Sequence, residues 1–342
     1  MDQEQGNDKK IMGSGLGHTG MIRRVLLLAV LAGLAHVIWG AFIPPGFSSE
    51  ERVVDVPLHC GVRRVADLLQ KHGIIHSAFY FRLLCSVTHT QSKLRAGEYA
   101  FPRRSGLLDV WEAIRDGKVK VHYVTIPEGY SSLQIAQALE QEGLATQADF
   151  LKVTSDPAFC QKNHVPAKTA EGFLFPDSYE FIKGMTPAEM AGQMVQRFFK
   201  IMAPGEIRQA GSRGLNLRQW VTLASIVEKE AEAKAERPVI AGVFLNRLQK
   251  KMRLESCPTV LFALGKTKPR LSLDDLNVVS PYNTYRHRGL PPGPICSPGR
   301  ESLLAVLTPS GTDFLFFVAK GDGTHAFSRT LEEHVKAKRK YR

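Results

Sequence analysis

Two carboxylates, Glu228 and Glu230, stand where an apolar run gives way to charge in LRQWVTLASIVEKEAEAKAE (217–236). A carboxyl group whose pKa is raised toward neutrality can give a proton to a reacting group and take one back, the work of a general acid and base. On a helix, residues advance by about 100° each, so these two side chains leave on nearly opposite sides. They cannot both face one bound substrate. One and two turns below Glu230 lie Val227, Ile226 and Leu223; below Glu228 lie Ser225, Ala224 and Val221. The bulkier apolar face removes more solvent, which favours the protonated form and makes Glu230 the better acid candidate. An EKEAEAKAE run also has the make-up of a solvated, ion-paired helix end. Residue types alone leave both readings open.

Other groups are weaker candidates. Glu171 and Asp177 lie in the aromatic-rich EGFLFPDSYEF (171–181), where turn and capping roles are the first expectation. SPYNTYRHRGLPPGPICSPG (280–299) holds five prolines and three glycines. So many fixed φ values make a rigid loop, suited either to hold Asn283, Thr284 and Tyr285 against a ligand or simply to connect elements. The five cysteines, Cys60, Cys85, Cys160, Cys257 and Cys296, are odd in number and lack C-x-x-C spacing, which argues against a zinc site, a redox motif or a disulfide scaffold. One Cys257–Cys296 bridge stays open. His72 and His76 have i,i+4 spacing but enclose Gly73 and read as surface histidines. No metal site or cofactor is expected, and no G-x-S-x-G, Walker A, Rossmann or H-E-x-x-H signature occurs.

The elements that must position these residues can be read from periodicity. Leu217, Val221, Ala224, Val227 and Ala231 predict one long helix over 217–236, with Pro238 opening a second over 238–252. DFLFFVAKGDGTHAF (313–327) predicts a hairpin across Gly-Asp-Gly. Near the other end, VPLHCGVRRVADLLQKHGIIHSAFYF (56–81) aligns with IPEGYSSLQIAQALEQEGLATQADFL (126–151) at a constant offset of 70. Each copy reads as strand, turn, amphipathic helix stopped by glycine, then a second helix. Between them, LRAGEYAF (94–101) alternates like a strand and Leu107–Gly117 reads as a helix with a glycine stop. The fold class expected is α+β.

Val25–Ile43 carries no charge and a single His36, just long enough to span a bilayer. Arg23 and Arg24 precede it, so the positive-inside rule puts the N-terminus in the cytoplasm and residues 45–342 outside. A cleaved signal peptide is the second choice, since Ala-Phe-Ile-Pro-Pro is a poor cleavage site. The expected organisation is a disordered tail (1–20), an anchor (21–44), a subdomain with the repeat (45–155) and a further domain (156–342). The net charge of +12 is scattered, and its densest clusters, Lys266–Arg270 and Lys336–Arg342, lack the interleaved aromatics of a base-stacking surface. The reading is therefore no nucleic acid, and a basic exported protein facing anionic lipid or a cell-wall polymer.

LASIVEKEA (223–231), RPVIAGVFLNRL (237–248), PTVLFALG (258–265), PYNTY (281–285), GLPPGPICSPG (289–299) and FVAKGDGTHAFSRTLEEH (317–334) together resemble the endolytic murein transglycosylases of the MltG/YceG type. EGFLFPDSYEF and LRAGEYAF match as well, and the similarity runs in order from about residue 53 to the C-terminus. The resemblance implies a single-pass inner-membrane protein with a periplasmic LysM-like subdomain (45–155) and a catalytic domain (156–342). Its implied substrate is the glycan strand of nascent peptidoglycan, and its implied partners include peptidoglycan synthases. It assigns the acid to Glu230, and substrate binding to Asn283, Thr284 and Tyr285. Cys257 stands where the family typically has Asp, and Ser297 where it has Asn before Pro-Gly. The implied reaction needs one carboxyl group, because the C6 hydroxyl of MurNAc attacks in place of water and forms a 1,6-anhydro ring. Two other classes stay open: a hydrolytic muramidase pairing Glu230 with Asp177 or Glu171, and a non-catalytic wall-binding scaffold. On the transglycosylase reading, Glu228→Gln should keep most activity.

Overall fold

A computed structural model describes residues 15–43, 51–102, 104–266, 268 and 271–341. The architecture is mixed α+β and rich in helix, with three two-stranded antiparallel sheets among the described residues. The chain divides into two compact units between Lys120 and Val121.

The first unit opens with helix α1 (Gly15–Phe42), which contains the apolar span Met21–Gly40 with its side chains unburied. It starts inside the segment expected to be a disordered tail; residues 1–14 of that tail lie outside the described residues. Once an apolar helix is nucleated, extending it by a turn costs little. Strand β1 (Arg52–Val56), helices α2 (Val62–Lys71) and α3 (Ala78–Val87), strand β2 (Gly97–Phe101) and helix α4 (Leu107–Asp116) come next. β1 and β2 pair with Val54 opposite Tyr99, and Val54, Val65, Leu69, Phe81, Tyr99, Val110 and Ile114 fill the core. Gly117 ends α4 at φ 72, a left-handed conformation that disfavours a Cβ.

The second unit begins with the second copy of the repeat: strand β3 (Val121–Thr125), helices α5 (Ser132–Gln141) and α6 (Gln147–Thr154). The two copies agree in local detail. Gly73 and Gly143 both turn left-handed, and Ile74 and Leu144 donate back to Leu69 and Leu139, five residues earlier. Helix α7 (Pro157–Lys162), strand β4 (Ser178–Ile182), helices α8 (Pro187–Ile201), α9 (Pro204–Ser212), α10 (Leu217–Glu230), α11 (Arg237–Gln249), α12 (Cys257–Leu264) and α13 (Arg300–Leu307), strands β5 (Phe316–Ala319) and β6 (His325–Ser328), and helix α14 (Leu331–Tyr341) complete it.

The break between units separates the copies grouped within 45–155 by periodicity, and the strand pairing explains it. β1 takes its partner from 97–101, whereas β3 pairs with β4 at 178–182. The second copy therefore shares one core with the helices from α8 onward, Ile135, Leu139 and Phe150 belonging with Phe173, Phe181, Trp220 and Val227.

At the centre of that core lies α10. Asn216 caps it reciprocally with Gln219, and Trp220, Val221, Leu223, Ala224, Ile226 and Val227 are fully buried. The helix does not run to 236. It ends at Glu230, Ala231 is extended, a 3-10 turn covers Lys234–Glu236, and α11 starts at Arg237 with Pro238 in its first turn. Good helix formers are overridden here by packing: the chain must double back for α11 to lie against α10 and α13.

Candidate active site

Ending α10 at Glu230 has an electrostatic consequence. The last turn of a helix carries the negative end of its dipole, an unfavourable place for a carboxylate. Burial pushes the Glu230 carboxyl above its ordinary range; a hydrogen bond from Ser256 and the charges of His325 and Arg247 pull it part of the way back. The residue as a whole keeps intermediate exposure. Among the described residues Ser256 is its single hydrogen-bond partner, Oγ donating to Oε1 at 2.6 Å.

Ser256 occupies the N-cap of α12, a position where serine ordinarily accepts from its own helix. Here it makes no such bond, and its hydroxyl turns to Glu230 instead. Its backbone is pinned from the far side: Thr284 Oγ1 accepts from Ser256 N at 3.0 Å, and Thr259 Oγ1 lies 2.8 Å from Thr284 Oγ1 and donates to Ser256 O. Thr284 O accepts from Glu255 N. The 281–285 loop thus clamps the residue that holds the acid.

The three loop residues divide in role. Asn283 is fully buried, donating from Nδ2 to Leu276 O and Val278 O at 2.9 Å each and accepting from Tyr285 N. Thr284 is nearly as deep. Both are brought to the site, with side-chain polar atoms already paired inside the protein. Tyr285 is partly exposed, its hydroxyl 3.1 Å from Cys257 Sγ. Burial, the Cys257 contact and the nearby Glu230 and Glu255 charges all push its phenol upward, so it stays protonated.

Glu228 takes the opposite side of α10, as helix geometry requires. Its carboxylate lies 2.7 Å from Arg237 and accepts from Gly299 N at 2.9 Å at the start of α13. Glu128 also reaches Arg237, at 3.3 Å, and a Cβ on Gly299 would collide with the Glu128 carboxyl. Apolar bulk does not separate the two glutamates, because Val221, Ala224 and Ser225 are as buried as Leu223, Ile226 and Val227. Neighbouring charge does: Glu228 has a buried guanidinium and Glu230 a serine hydroxyl.

Glu171 and Asp177 are engaged elsewhere. Glu171 accepts from Ser132 N at the start of α5, and burial lifts its carboxyl to about 7. Asp177 lies 2.5 Å from Arg197.

The residues that sequence reasoning passed over are Ser256, Arg247 and His325. Buried Arg247 donates to Leu315, Arg253 and Leu254 carbonyls and to Glu255. His325 Nδ1 lies 2.7 Å from Glu236, which also accepts from His325 N. The Ser-x-Pro pattern at 256–258 is a readable N-cap signal, but nothing local reveals that its hydroxyl is diverted. All five cysteines are free, so no Cys257–Cys296 bridge forms. Cys296 is buried and donates to Ser225 O, and Ser297, at the position where Asn is typical, leaves its buried hydroxyl without a partner among the described residues.

This geometry has relatives. The YceG-like family profile matches residues 54–340. An endolytic murein transglycosylase of Bacillus subtilis (strain 168) is 34% identical over 304 residues, 84% of each chain. One of Streptococcus pneumoniae serotype 2 is 28% identical over 352 residues, 92% of this chain and 63% of the relative. The crystal structure of a yceG-like protein from Listeria monocytogenes superposes with a TM-score of 0.60 at 33% identity, covering 84% of this chain and 99% of that one.

Proposed function

We propose that this chain, which belongs to the YceG-like family, is an endolytic murein transglycosylase that cuts peptidoglycan glycan strands from within. One observation carries the mechanism: Glu230 is a partly exposed acid with a raised pKa, held at one oxygen by Ser256. With Oε1 engaged, Oε2 is the atom left to move a proton.

Protonated Glu230 donates to the oxygen of the MurNAc–GlcNAc β-1,4 bond as an oxocarbenium-like state develops on MurNAc. The GlcNAc side leaves with that proton. The carboxylate then takes the proton of the MurNAc C6 hydroxyl, whose oxygen closes onto C1 to form the 1,6-anhydro ring. The acid is regenerated within one cycle and no second carboxyl is needed. Transient ionisation is supported by Arg247, His325 and the Ser256 hydroxyl. Tyr285, protonated at the rim, is the loop residue that touches the sugar, while Asn283 and Thr284 hold it and Ser256 in place.

In this reading α1 is a retained single-pass anchor in the inner membrane, with the N-terminus cytoplasmic and residues 45–342 periplasmic. The first repeat copy and its sheet act as a LysM-like element beside the membrane, and the second unit, from Val121 onward, supplies the catalytic domain. Cutting nascent strands terminates their elongation, which places peptidoglycan synthases among the partners. The test is digestion of sacculi by the purified full-length protein in detergent, with products identified by mass spectrometry. Anhydro-MurNAc ends are expected; reducing ends in their place would make the enzyme a muramidase, and no release would make it a binding protein.

A further inference from the structure

We propose that the cleft walled by Lys250, Lys251, Arg253 and Arg288 is a subsite for the carboxylates of the stem peptide, so that the enzyme selects peptide-bearing strands. The proposal rests on the transglycosylase reading above.

The cleft has a volume of about 400 Å³ and is lined by those four cations with Met252 and Glu255. Its one carboxylate is already paired, Glu255 lying 3.4 Å from Arg247. Among the described residues none of the four cations has an ion-pair partner. Unneutralised positive charge gathered in a concavity raises the local concentration of anions and offers charge-assisted hydrogen bonds to them.

The wall is a built feature. Buried Arg247 ties down the Arg253 and Leu254 carbonyls from beneath. Lys251 and Glu255 both hold left-handed φ values, 53° and 50°, which non-glycine residues adopt at a cost and keep only where the surroundings impose them. The cleft adjoins the acid's partner along the chain: Glu255 lines it, and the next residue, Ser256, hydrogen-bonds Glu230. Because that step along the chain is a single residue, the anion placed in the cleft is one carried by the MurNAc at the acid.

The chemistry of ring closure decides which anion. A MurNAc residue carries its peptide on the lactyl group at C3, and anionic polymers are attached through C6. The C6 hydroxyl must be free to close the anhydro ring, so the sugar being cleaved carries no polymer there. The anions that remain are the peptide carboxylates.

The experiment compares two substrates for the full-length protein: peptide-bearing glycan strands, and the same strands stripped of peptide by an amidase. Arg253→Gln/Arg288→Gln is the first variant and Lys250→Gln/Lys251→Gln the second, each checked by thermal melting. Each is expected to raise KM about tenfold on peptide-bearing strands with kcat unchanged, and to leave the stripped strands unaffected. Equal loss on both substrates, or none on the peptide-bearing one, overturns the subsite. Absence of anhydro products from both substrates with the unaltered protein instead overturns the transglycosylase reading.

Discussion

Ser256 Oγ lies 2.6 Å from Glu230 Oε1, while two residues earlier on the same helix Glu228 lies 2.7 Å from the buried Arg237 guanidinium. One carboxylate is fully compensated and structural. Its neighbour, partly exposed, has a hydroxyl as its hydrogen-bond partner and, among the described residues, no ion pair, and the difference sets the expected behaviour of both.

Glu230→Gln should keep the melting temperature and abolish anhydro-MurNAc release, a loss of at least about 10²-fold, because an amide cannot deliver and reclaim the proton. In the unaltered enzyme the acid must be protonated, so the rate should fall as pH rises through the raised Glu230 pKa. Product counts across pH give both results. An active Glu230→Gln would assign the acid elsewhere.

Ser256→Ala removes a donor to the ionised carboxylate, and such donors lower a carboxyl pKa. The alkaline limb of the rate profile should therefore move to higher pH, with kcat down about tenfold from the lost charge-assisted bond. A lower rate with an unmoved limb would mean that Ser256 only shapes the loop.

Glu228→Gln is best read as a stability variant. Breaking one side of a buried pair leaves Arg237 undercompensated, at about 3 kcal/mol, with Glu128 recovering part of it. Thermal melting should show the loss while kcat at low temperature stays close to that of the unaltered protein. The double variant Glu228→Leu/Arg237→Met should melt higher than either single one.

Glu171 carries a pH signature. Its folded pKa of about 7 exceeds the ordinary 4.5, so its favourable contribution is whole below about 4.5 and is lost as pH rises through about 7. The size is on the order of 3 kcal/mol. Glu171→Gln should flatten the denaturation midpoint across that window; an unchanged slope would mean another group titrates there.

For α1, a reporter fused at the C-terminus that works only outside the cytoplasm should be active. One that works only in the cytoplasm should be silent, and the opposite pair of results would invert the topology.

Much of this protein is written locally. The Asn216–Gln219 cap, the glycine stops at Gly73, Gly117 and Gly143, the hairpin turn through Gly321–Asp322–Gly323 and the divergence of Glu228 from Glu230 each arise from backbone sterics or helical angle over a few residues. The sequence could not display where α10 stops or which side chains meet its end. Ser256 is 26 residues from Glu230, Glu236 and His325 are 89 apart, and β3 finds its partner in β4 beyond the intervening helices α5, α6 and α7. No periodicity encodes such separations. The helix-forming EKEAEAKAE run is broken because the buried Glu228–Arg237 pair and the packing of α11 outweigh propensities of a few tenths of a kcal/mol per residue. That same break puts Glu230 in the last turn, desolvated and facing a serine, which only the assembled core could arrange.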